Sequence, residues 1–112
     1  MKIKIFQVDA FTDHLFGGNP AAVCPLQEWL PKEKMQQIAL ENNLSETAFF
    51  VMLEDGFDLK WFTPVTEVDL CGHATLASGH VLYKHLGYSL PEIKFHSISG
   101  KAVTYLEGEI TV

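Results

Sequence analysis

The chain has no cluster of Lys or Arg. Its 8 basic residues are scattered among 14 acidic ones, for a net charge of −6. Nucleic acid and anionic membrane surfaces are held by clustered positive charge, so neither is an expected partner. Long apolar runs are missing as well, which excludes a transmembrane helix. Met1-Lys2-Ile3-Lys4-Ile5 lacks the apolar stretch and small-residue cleavage site of a signal peptide, and the two absences together point to the cytoplasm. Only two cysteines occur, Cys24 and Cys71. Two thiols do not make a metal site, a reducing compartment leaves them unpaired, and they lack the close spacing of a dithiol redox motif. Internal repeats and low-complexity segments are absent. Gly17-Gly18-Asn19-Pro20 lacks the Gly-Lys-Ser/Thr or spaced glycine triplet of a phosphate loop.

What remains is 47% hydrophobic and 20% charged, the balance of one globular domain spanning 1–112. Residues 2–9 carry apolar groups on both alternating faces, which predicts an interior strand. Residues 10–20 read as a loop, and 21–26 as a strand whose plausible partner is the first. The period then changes. Residues 29–43 predict a helix, with Pro31 in its first turn and Met35, Ile38, Ala39 and Asn42 on one side. Asn42-Asn43 marks its end. Residues 45–53 and 57–62 predict a hairpin about Glu54-Asp55-Gly56, and a short strand at 68–70 follows. Residues 73–86 are apolar and rich in small side chains, so they predict a buried helix stopped by Gly87. Strands are expected at 92–97, 101–106 and 109–112. The sum is an α+β fold: a curved, mostly antiparallel sheet wrapped around one buried helix, with a second helix outside.

Cys71 and His73 fall at the start of the buried helix, where unpaired backbone N–H groups favour an anion or a thiolate. An inert core cysteine is the competing reading of Cys71. Gly72 permits close backbone approach, and His73 alone is equally well a helix-end residue with no further role. Glu46 stands between Leu44 and Ala48-Phe49-Phe50. Carboxylates bounded by apolar groups lose hydration and move toward a proton-transfer range, although a strand-edge acid or capping group is the plainer alternative. The Asn19 amide sits where a tight turn could bring it to a ligand. His80 and His85 are spaced too far apart along their helix to share a metal readily, and His85 more simply serves the helix C-terminus. His14 and His96 look isolated.

Taken in order, Gln7-Val8-Asp9-Ala10-Phe11-Thr12, Gly18-Asn19-Pro20-Ala21-Ala22-Val23, Met35-Gln36-Gln37-Ile38-Ala39, Asn43-Leu44-Ser45-Glu46-Thr47-Ala48-Phe49, Trp61-Phe62-Thr63-Pro64 and Glu67-Val68-Asp69-Leu70-Cys71-Gly72-His73-Ala74-Thr75 resemble the phenazine-biosynthesis (PhzF-like) family. That family has the diaminopimelate epimerase fold, two similar halves with one active site in the cleft between them. The resemblance implies a cofactor-independent, metal-independent isomerase or epimerase that moves a proton on a small carboxylate-bearing or amino-acid-like substrate. It implies proton transfer by Glu46, with substrate bound or polarised by Gly72-His73-Ala74 and by Asn19. A cysteine in the place of Cys71 is a catalytic base in the epimerase relatives, whereas the phenazine enzyme itself has none there.

The second half of the family pattern is absent from 1–112. The expectation is therefore an N-terminal half that pairs as a homodimer or with a missing second half. The alternative is an inactive truncated homologue acting as a binding module.

Overall fold

The computed structural model describes residues 2–12, 14, 16–69 and 71–96, together with the backbone of 102–103. β1 (Phe6–Ala10) and β2 (Asn19–Leu26) form an antiparallel pair, closed where Ala10 meets Asn19. Gly18 makes that closure possible. Its φ is +71°, and a Cβ there would lie 2.0 Å from the Ala10 carbonyl oxygen, so no other residue fits without moving backbone. α1 (Lys32–Asn42) starts directly after Pro31, whose fixed φ suits a helix entrance. It stops at Asn43, which adopts the left-handed conformation and returns its N–H to the Ala39 carbonyl.

β3 (Glu46–Met52) then runs parallel to β2, and β4 (Phe57–Phe62) folds back antiparallel to β3. β5 (Glu67–Val68) pairs with the end of β4 and leads into α2 (Gly72–His85). β6 (Phe95–His96) lies parallel to the beginning of β4, with β7 (Ala102–Val103) antiparallel beside it. The strand order is β1-β2-β3-β4-β6-β7, with β5 also on β4. The fold is α+β, and four of the six strand pairings among the described residues are antiparallel.

Alternation along the strands sends side chains to two cores. Ala21, Val23, Ala48, Phe50, Leu59 and Trp61 meet Ala74, Ala77, Val81 and Leu82 of α2 on one face. Cys24, Leu26, Phe49 and Phe62 meet Met35 and Ala39 of α1 on the other. Central strands covered on both faces are shielded from water in every register, so 47–50 are all buried, with Thr47 the polar member of an otherwise apolar run. Small residues let α2 lie close to the sheet, and none of its residues before Lys84 is exposed. Tyr88, Ile93 and Phe95, on the returning segment, close over the same core. The stop of α2 is as expected, with Gly87 at φ +75° just past its end. His85 stacks on Phe6 at 4.8 Å, tying the helix end to β1.

One expectation is overturned. β1 is an end strand among the described residues, not an interior one. Phe6 and Val8 pack on the α2 side, whereas Gln7 is exposed. The second apolar set came from residues before the strand: Ile3 packs on the α1 side and Ile5 is half-exposed. The expected strands at 101–106 and 109–112 lie outside the described residues apart from the backbone of 102–103.

Cys24 has a testable consequence. Burial pushes its thiol up to about 12 from an ordinary 9.0. The folded state therefore binds a proton that the unfolded state releases between those two values. This contribution to stability is complete below pH 9 and is lost as pH rises toward 12. Urea unfolding across pH 8–11 should show a steeper alkaline loss in the wild type than in Cys24→Ala; parallel profiles would contradict it.

Candidate active site at the head of the second helix

Three connections meet at one end of the sheet. The parallel register of β2 and β3 sets Ala21 beside Glu46, so the loop before β2 and the turn before β3 share that end. β4 finishes there too, since Thr47 faces Phe62, and the chain passes through a Thr63–Thr66 turn and β5 into α2. Asn42 reaches from the end of α1 and donates its amide to the Thr47 hydroxyl at 3.1 Å, fixing the start of β3 next to Glu46.

Cys71 is the N-cap of α2, whose first residue is Gly72, and its backbone is extended at φ −148°. A buried hydrogen-bond chain pins it. Trp61 Nε1 donates to Thr75 Oγ1 at 3.1 Å, and the Thr75 hydroxyl donates onward to the Cys71 carbonyl at 2.7 Å. Neither Trp61 nor Thr75 stood out in the sequence as part of the site. The available signal was a threonine four residues after Cys71, placed to bond back one turn, and a tryptophan whose N–H needs a partner when buried. Thr75→Val should leave the Trp61 N–H unpaired and cost about 1–3 kcal/mol in urea unfolding. Adding Trp61→Phe should then cost less than the sum of the single changes, and strict additivity would disprove the coupling.

The helix start brings three reactive groups together. Glu46 Oε2 lies 3.0 Å from His73 Nε2, and Cys71 Sγ lies 3.3 Å from His73 Nδ1. One donor atom from each of the three residues falls within 4.8 Å of the other two. Both the Glu46 and His73 side chains are mostly buried. The Glu46–His73 contact is close but not aligned as a hydrogen bond. Glu46 Oε2 and His73 Nε2 are thus buried polar atoms with bonding capacity unspent within the protein. Such atoms are costly unless a further group engages them.

Of the two readings the sequence left open for this sulfur, the surroundings disfavour the thiolate. Burial raises the Cys71 pKa above its ordinary value, and the neighbouring Glu46 charge and hydrogen bond raise it further. The backbone N–H groups of Ala74 and His73 pull the other way, as a helix start should, but do not prevail. Cys71 is held as a thiol. Cys24 lies in the core on the opposite face of the sheet, so the two free cysteines cannot pair.

Gly72 and Ala74 flank His73 in the first turn, where the sequence places them. Asn19 stands at the head of β2, two residues before the partner of Glu46, but is exposed rather than folded into the trio. His80 and His85 make an edge-on ring contact at 6.0 Å. Neither His14 nor His96 is isolated as expected: the His14 backbone N–H donates to the Thr12 hydroxyl at 3.3 Å, and His96 is half-buried and reaches Asp55 at 3.3 Å. A groove lined by Lys2, Lys4, Pro25 and Leu26 lies at the tail of β2, the opposite end from Glu46.

Known proteins resemble this chain in sequence and in fold. The family of phenazine biosynthesis-like proteins (PhzC-PhzF) matches residues 8–110. An uncharacterised isomerase of Pseudomonas aeruginosa is 55% identical over 109 residues, covering 97% of this chain and 42% of that protein. A human phenazine biosynthesis-like domain-containing protein is 48% identical, covering 90% of this chain and 38% of the other. The crystal structure of a PhzF-family phenazine biosynthesis protein from Enterococcus faecalis superposes with a TM-score of 0.87 at 51% identity, over 96% of this chain and 42% of that one. This chain thus spans about two fifths of the length of the relatives it matches. Motifs, fold and a match over nearly all of its length agree, and the chain belongs to the phenazine biosynthesis-like protein family.

Proposed function

We propose that Glu46, His73 and Cys71 form the proton-transfer wall of a cofactor-independent isomerase or epimerase. Its substrate is a small molecule that carries a carboxylate or resembles an amino acid. The observation that carries this reading is the contact of a buried carboxylate, an imidazole and a thiol at a helix start, with two of their atoms lacking aligned bonds. Glu46 takes a proton from the carbon beside the substrate carboxylate, and the C–H electron pair moves into an enolate-like system. The first-turn N–H groups at Gly72, His73 and Ala74 stabilise that charge, with His73 and the Asn19 amide orienting the substrate. Glu46, now protonated, returns the proton to a different carbon on the same face in an isomerisation. The Cys71 thiol is the alternative donor, and an epimerisation would then need a partner group on the other face.

The site works when a second surface covers it, supplied by further family sequence or by a second copy. Phe11, Phe16 and Val65 surround the same end of the sheet and are 66%, 97% and 82% exposed. An apolar rim of this kind favours association. Incubating candidate carboxylates in heavy water tests the reading, since a proton-moving site must wash label into its substrate. Residues 1–112 alone are expected to show little or no turnover, and the same residues joined to the remainder of the Enterococcus faecalis relative are expected to wash label in. Carboxylate binding without any wash-in by the joined protein would leave a binding module instead.

A further inference from the structure

We propose that Glu46, Cys71 and His73 also form a binding site for a borderline-soft divalent cation such as Zn²⁺, which would occupy the proton-transfer groups and inhibit them. Carboxylate oxygen, imidazole nitrogen and thiolate sulfur are all ligands that Zn²⁺ prefers, and three protein ligands with one open position make a complete protein contribution to a tetrahedral site. In such a shell, with bonds of about 2.0–2.3 Å, neighbouring donors lie roughly 3.3–3.8 Å apart. Here Glu46 Oε2 and His73 Nε2 are 3.0 Å apart, and one donor from each residue lies within 4.8 Å of the others. The three donor groups are therefore gathered already; because Cys71 Sγ contacts the other ring nitrogen, Nδ1, at 3.3 Å, closing the shell requires a rotation that brings one imidazole nitrogen to both partners.

A second observation points independently to a ligand. Glu46 Oε2 and His73 Nε2 are buried polar atoms with no aligned hydrogen bond, so both have bonding capacity that a ligand can engage once the imidazole is neutral. The two atoms face each other across the contact into which an ion would insert. Binding breaks the Cys71 S–H bond, forms a sulfur–metal bond and releases the proton to solvent. Carboxylate and thiolate then balance the charge of the ion. With Glu46 and Cys71 both occupied, neither can carry a substrate proton.

This inference uses the same three side chains as the proposed function but does not rest on the activity, and the test separates them. The protein is titrated with Co²⁺ as a spectroscopic probe, then with Zn²⁺ in competition. One equivalent of Co²⁺ should produce a near-ultraviolet sulfur-to-metal charge-transfer band with visible tetrahedral bands, and Zn²⁺ should abolish both. Cys71→Ala should lose the charge-transfer band. It should also weaken Co²⁺ binding by more than the roughly 10–100-fold typical of losing an outer-shell partner. His73→Asn and Glu46→Gln should weaken binding while keeping a sulfur band, and circular dichroism confirms that each variant folds. Cys24→Ala, altered on the other face of the sheet, should leave the band intact. No sulfur band in the wild type, or a band that survives Cys71→Ala and vanishes in Cys24→Ala, overturns the proposal. A band with no deuterium wash-in by the joined protein would support the metal site and count against the enzymatic reading, and wash-in by the joined protein with no band would do the opposite.

Discussion

Glu46→Gln should lower the isomerisation rate of the joined two-part protein by about 10²- to 10⁴-fold, the contribution typical of a positioned general base. The substitution keeps the shape of the side chain and removes only its ability to take a proton. Glu46 Oε2 makes no aligned hydrogen bond whose loss would unfold the start of β3. Stability should accordingly change little, and the loss should appear in kcat more than in KM, because the substrate is held mainly by the helix start. Cys71→Ala separates the two chemistries. An isomerisation running through Glu46 on one face tolerates it better than Glu46→Gln, whereas an epimerisation that uses the thiol loses comparable rate. If Glu46→Gln retained full activity, Glu46 would be an ordinary buried acid and the assigned role would fall.

The largest effect on stability is expected at Phe49→Ala, about 3–5 kcal/mol in urea unfolding. Phe49 is fully buried between β3 and α1 and meets Phe62 edge-on with ring centroids 5.6 Å apart. Its removal subtracts both transfer energy and an aromatic contact, and the rigid sheet around it cannot collapse into the space. Phe16 provides the control on the same chemistry. It is 97% exposed and held at φ +66°. Phe16→Gly should be neutral or mildly stabilising, because glycine adopts that backbone without strain. A cost at position 49 no larger than at position 16 would show that the α1 face of the sheet is not the core described above.

The elements with a strong local signal were legible from sequence: Pro31 and Asn43 bracket α1, Gly87 ends α2, and Glu54-Asp55-Gly56 turns the β3–β4 pair. The family motifs also drew attention to Glu46 and Cys71-Gly72-His73, and the fold places all of these at one helix start. What sequence could not convey depends on long-range pairing. The edge position of β1 follows from which strands neighbour it, and period-two alternation is blind to that. The Cys71 thiol illustrates the same limit. The helix start argued for a thiolate, but burial and the approach of Glu46, 25 positions earlier in the chain, reverse the balance. The Trp61–Thr75–Cys71 chain joins a strand to a helix across the core, so its members look like ordinary core residues when read singly.

The roles proposed for Glu46, Cys71 and His73 all require that a proton move at the head of α2. The most direct measurement is mass-spectrometric detection of deuterium incorporated from heavy water at the carbon beside a substrate carboxylate, by the joined protein and by its Glu46→Gln variant side by side. Label is expected with the former and at least 100-fold less label with the latter, within the range expected for a general base. Equal incorporation by both proteins would contradict those roles.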